Sequence, residues 1–129
     1  MNLKLMKSIK SVICWVFGLA FVIIPAQIMN IYGVDLNEGG MFVARLLGAA
    51  FILLALWLGL TRDVKDEAAQ RGAAVAITVG DLVGFAILVY WQLTGTVSAL
   101  GWINAAIYLL LAIGFAYVLV AEPEGKFAT

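Results

Sequence analysis

The sequence predicts an all-α membrane protein whose four transmembrane helices run up-down-up-down, with both termini cytoplasmic. Three observations carry that expectation. Of the 129 residues, 64% are hydrophobic and 12% charged, with a mean hydropathy of +1.06, whereas soluble domains lie nearer half apolar and a quarter charged. The apolar residues form four blocks, about 11–31, 41–60, 72–93 and 101–121, each close to the roughly 20 residues a helix needs to cross a bilayer. Seven of the eight basic residues (Lys4, Lys7, Lys10, Arg62, Lys65, Arg71 and Lys126) fall in the tails and the middle loop. The positive-inside rule makes those segments cytoplasmic.

The first block follows a short basic tail, Met1 to Lys10. A basic start before an apolar core also fits a secretory signal peptide, but no clear small-x-small cleavage site follows. Pro25 kinks or ends the first span, because proline lacks the amide donor and clashes with the preceding turn. Gln27, Asn30 and Tyr32 then reach the outer interface. Residues 33–40 form a loop bounded by glycines. The second span carries Arg45 one turn in, with small residues four apart at Ala44 and Gly48 and again at Ala55 and Gly59. Residues 61–71 are densely charged and read as a water-exposed elbow. There Asp63 or Asp66 can cap the next helix, and Glu67 sits four before Arg71.

The third span, Gly72 to Leu93, ends in the uncharged turn Thr94-Gly95-Thr96-Val97-Ser98. The fourth, Gly101 to Ala121, leads into a tail with Glu122, Pro123, Glu124 and Lys126. Tyr32, Tyr90, Trp91 and Trp102 cluster at the expected outer boundary, and Trp57 and Tyr117 towards the inner one, as interfacial aromatics do.

Several function classes drop out. Eight basic and eight acidic residues cancel, so nothing draws the chain to nucleic acid. The chain has no His and one Cys, Cys14, which removes the usual metal ligands, cofactor ligands and any intrachain disulfide. Cys14 lies in an apolar run and reads as a small buried hydrophobe. No nucleophile–base pair is visible, so no enzyme and no cofactor is expected.

The join of the first two spans, Pro25…Tyr32-Gly33-Val34…Ala44-Arg45-Leu46-Leu47-Gly48-Ala49, resembles a widespread family of small bacterial four-helix membrane proteins, a domain of unknown function. Its members carry a proline late in helix one, a Gly-Leu or Gly-Val loop and an Arg-x-x-Gly in helix two. The resemblance covers about thirty residues. It implies the fold and a bacterial inner membrane, and it supplies no activity, ligand or catalytic residue.

The sharpest residue is Asp81, one carboxylate mid-way along the third span. A charge at membrane depth faces the bundle interior and is either functional or paired. Asp81 could exchange a proton in a coupled transporter, or simply tie helices together with help from Thr78. Arg45 is its natural partner by charge, but the two differ in depth by roughly 12 Å at 1.5 Å per residue, and Arg45 can instead snorkel to the surface. Gln27, Asn30, Arg45, Gln92 and Asn104 share the outer-leaflet depth, and Asn104 and Tyr108 share a helix face. Together they could form a polar vestibule for an anionic head group, a quinone-like ring or a small polar solute. Equally, such residues bond interfacial water.

Gly72, Ala76, Gly80 and Gly84 form a small-residue stripe, as do Ala44 and Gly48 in the second span. In lipid such stripes mark close helix contact, within the bundle first and between copies second. Beyond the bilayer, the expected partner is another membrane protein or a second copy. Two functions follow: a non-enzymatic accessory protein that packs through its small faces, or a small transporter or ligand binder using Asp81 as its proton-coupled carboxylate and Arg45 as anchor.

Overall fold

The computed structural model describes residues 2–122 and is all-helical there. In order come α1 (Leu3–Ile23), α2 (Pro25–Ile31), α3 (Glu38–Leu60), α4 (Glu67–Leu93) and α5 (Gly101–Ala121). All but α2 are long and apolar enough to cross a membrane. Their outward faces remain strongly apolar, with Leu53, Leu60 and Val120 at 69%, 80% and 88% exposure. Lys126 and the rest of the expected tail beyond Glu122 lie outside the described residues.

Three helices begin earlier than hydropathy predicts, because capping and not hydrophobicity decides where they start. Asn2 accepts the Leu5 amide, Asn37 that of Gly40, and Asp66 that of Ala69, so each satisfies an amide of a first turn. Of the two capping candidates, Asp66 is the one used. The first correction follows: Lys4, Lys7 and Lys10 are not a tail but the first turns of α1. At the other end of α1, Pro25 closes the helix and opens α2 at its first position, where its missing N–H costs nothing. Gly33, at φ +75°, then ends α2 in a Schellman turn, with Val34 donating to Met29 and Gly33 to Asn30.

Helix α1 packs along α3, and α4 along α5. Lys7 meets Thr61, Ser11 meets Ala55 and Gly18 meets Gly48, so contacts climb α1 as they descend α3. Arg71 with Glu122 and Gly84 with Tyr108 do the same for α4 and α5. The two pairs close on each other at one end, around Leu3, Met6, Leu58, Ala74, Ile77, Leu111, Phe115 and Val118. A surface bridge of 2.6 Å from Lys4 to Asp63 lies at this closed end and holds the Asp63 carboxyl below its usual range. Both partners are more than half exposed, so solvent screens it.

The small residues divide. Ala44 and Gly48 are buried, and Gly48 lies against the α1 backbone at Gly18 and Val22. In α4, Gly84 is covered by the Tyr108 ring, but Gly72, Ala76 and Gly80 face outward, and Gly72 and Gly80 have open space where a Cβ would stand. The expected internal packing stripe is therefore displaced. The buried series is Ala73, Ile77 and Asp81, one residue and so about 100° around the helix from the glycines. A carboxylate that must be paired turned this face inward.

A Cβ on Gly48 would stand 2.8 Å from the Gly18 carbonyl oxygen and 2.9 Å from the Val22 amide nitrogen. Backbone atoms cannot swing aside. Gly48→Ala should therefore lose about 1–3 kcal/mol, the usual range for overpacking, while Gly80→Ala should lose nothing. Thermal unfolding in detergent, followed by circular dichroism, checks the pair.

Candidate functional site

The inward stripe of α1 carries Leu3, Lys7, Lys10, Cys14 and Phe21, all 9% exposed or less. The alternating four-and-three spacing puts both lysines among apolar side chains, where an ammonium must find oxygen. Lys7 is fully buried. It donates to the Thr61 hydroxyl and the Gln70 amide oxygen at 2.8 Å each, and to the Thr61 carbonyl at 3.2 Å. Its Nζ stands 5.1 Å from the Trp57 ring centroid. Gln70 in turn donates to the carbonyls of Thr61 and Val64. One cation thus ties α1 to the α3–α4 connection.

One turn further along, the Lys10 Nζ donates to Asp81 Oδ1 at 2.5 Å, with both side chains at least 93% buried. Lys10 is the partner that Asp81 has, and Arg45 is not. Arg45 is exposed and donates to the Val22 carbonyl at 3.3 Å, the surface option its long side chain allows. Thr78 does not help either, since its hydroxyl bonds the Ala74 carbonyl in its own helix. The second Asp81 oxygen is buried with no hydrogen-bond partner among the described residues. One hydrogen bond and the mutual attraction therefore hold the pair.

Above Lys10 the helix pairs diverge and leave a cavity of about 530 Å³. Lys10, Cys14 and Tyr108 lie at its deep end, and Phe17, Phe21 and Phe51 are mutually packed along the α1–α3 wall. Across the far end, Tyr32 donates to Asn104 at 3.1 Å, and Ser98 donates to the Tyr32 and Ile31 carbonyls. These bonds stitch the α2 end to the α4–α5 turn. On its flank, Val43 and Leu47 of α3 and Ile87 of α4 line the cavity yet are 62%, 45% and 53% exposed. Helices α3 and α4 do not pack along each other, so the cavity opens sideways between them.

The expected polar vestibule does not form. Asn104 and Tyr108 line the cavity, but Gln27 and Asn30 point outward, Arg45 lies outside, and Gln92 is spent on the Val97 and Ser98 carbonyls. Gln92 is satisfied by the nearest loop, and Gln27 and Asn30 are exposed. Sequence reasoning missed Lys10, Lys7 and the phenylalanine wall. The seven-residue spacing that carries Lys7 and Lys10 into the same stripe as Leu3 and Cys14 was the available signal. No family model, curated protein or solved structure matches this chain.

The Lys10–Asp81 contact makes a specific energetic prediction. Lys10→Met or Asp81→Leu alone leaves one charged partner buried and should cost about 3–5 kcal/mol. The double variant Lys10→Met/Asp81→Leu should recover most of that loss. Arg45→Met should change neither figure. Denaturant unfolding of the four variants in micelles, read as a double-mutant cycle, tests all three statements.

Proposed function

We propose that this chain is a non-enzymatic binding protein of the membrane that houses a small lipophilic molecule between its two helix pairs. The observation that carries this reading is the cavity itself. Its volume falls in the roughly 300–1,000 Å³ range of small-molecule sites, and apolar walls with a few polar groups are their usual make-up. The side opening faces the surface that would contact acyl chains. In this reading Asp81 serves by holding Lys10, and Lys10, not Arg45, is the anchor. A carrier that moves its ligand across the bilayer is the natural extension.

The setting that fits is a bacterial inner membrane, by the family resemblance, with the four long helices running up-down-up-down and both termini cytoplasmic. Burial of Lys7 and Lys10 removes them from the flanking charge, but among the described residues Lys4, Arg62, Lys65 and Arg71 remain at the closed end against Arg45 at the other. That bias still supports the orientation.

The test uses purified protein in nanodiscs and 2,3-dimethylnaphthalene as probe, measured as retention above empty nanodiscs of the same lipid. Stoichiometric retention is expected. Leu47→Trp, which fills the side opening at a position exposed enough to accept it, should bring retention down to the lipid background. Equal retention by both proteins would overturn the reading.

A second reading, an accessory protein that packs against a partner helix or a second copy, has its own observation. Gly72, Ala76 and Gly80 present an exposed small-residue face, and no described residue lies over Gly72 or Gly80, which is how helices in lipid approach closely. Under this reading Gly80→Leu abolishes self-association measured by cross-linking in native membranes. No change in cross-linking would remove the second copy as the partner.

A further inference from the structure

Resting on the reading of the cavity as a binding chamber, we infer that its occupant is a neutral, ring-bearing lipophile with a carbonyl oxygen at its buried end, the chemistry of a quinone head. Three features at the deep end select it. The Lys10 ammonium has three N–H donors and spends one on Asp81. The Tyr108 hydroxyl makes no hydrogen bond among the described residues, and its ring centroid lies 6.0 Å from Lys10 Nζ. Both side chains line the cavity, so its deep end offers unspent Lys10 N–H groups and a free hydroxyl. The acceptor that could balance them, the free Asp81 oxygen, is sealed from solvent. The Lys10 N–H groups can only donate and the Tyr108 hydroxyl can donate or accept, so the ligand group that can use both is an acceptor.

Charge narrows the class further. Lys10 and Asp81 neutralise each other, so the deep end carries no net charge. An anionic ligand would share the one ammonium with Asp81 and leave the deep end with a net negative charge in an apolar surround, which is strongly unfavourable. A cationic ligand would face N–H groups. A neutral carbonyl takes the donors without disturbing the pair. The rings of Phe17, Phe21 and Phe51, with centroids 6.3–6.5 Å apart, give a wall suited to the face or edge of a planar ring.

The experiment compares three probes of similar ring size in nanodiscs: 2,3-dimethyl-1,4-naphthoquinone, 2,3-dimethylnaphthalene and 2-naphthoate. Both reactive ring carbons of the quinone carry methyl groups, which keeps the Cys14 thiol from adding to them. The quinone should bind about tenfold more tightly than the hydrocarbon, as one or two added hydrogen bonds allow, and naphthoate should bind most weakly. The quinone carbonyl stretch should shift to lower frequency on binding, as it does on accepting hydrogen bonds. Tyr108→Phe, which keeps the ring over Gly84, should reduce the preference for the quinone about threefold and move the carbonyl band part of the way back. Equal binding of quinone and hydrocarbon would overturn this inference and leave the chamber standing. Tightest binding of naphthoate would also overturn it. Retention of none of the probes above empty nanodiscs would instead remove the chamber reading on which it rests.

Discussion

An ammonium group surrounded by hydrocarbon must be met by oxygen, and α1 carries two such groups on the face it turns inward. Lys7 and Lys10 therefore dictate which parts of the chain lie beside α1. The α3–α4 connection supplies Thr61, α4 supplies Gln70 and Asp81, and none of the three can move far without leaving a cation unsolvated. Close packing of small residues gives the α1–α3 pair its intimacy at Gly18 and Gly48. It says nothing about how that pair should sit against α4 and α5, because hydrocarbon side chains in lipid have no preference for each other over acyl chains. The directional bonds of the lysines provide that preference. Buried pairs are weak contributors to net stability but good at fixing register, and register is what two helix pairs in lipid lack.

The number of long helices was legible because hydropathy over about twenty residues is the property a bilayer selects. The start of α1 was not, because Lys4, Lys7 and Lys10 look like a charged flank until Lys7 and Lys10 are placed in the same stripe as Leu3 and Cys14. Only Lys4 lies off that stripe, and only Lys4 is exposed. The burial of Asp81 could be anticipated from its place in an apolar block, whereas its partner could not. Depth arithmetic between Asp81 and Arg45 compared two helix ends and left out a long side chain reaching up from the start of a third. The glycine stripe misled for a related reason, since spacing alone does not say which of two faces 100° apart carries the stronger demand. The cavity had no sequence signature at all. It is the volume left where the helix pairs diverge, set by Phe17, Phe51, Tyr108 and their neighbours in three dimensions.

The hydrogen bonds joining Ser98 to Ile31 and Tyr32, and Tyr32 to Asn104, close the cavity at its far end, while the gap between α3 and α4 leaves it open along the flank. On the proposed reading, a molecule that occupies it first dissolves in the bilayer and then turns sideways. Its effective concentration is then its mole fraction among the lipids and not its concentration in the aqueous phase. A poorly soluble compound, enriched many-fold by partitioning, could fill the site at an aqueous level too low to detect. Two compounds of equal intrinsic fit would be ranked by oiliness alone. Saturation of this protein would thus report the composition of the membrane around it.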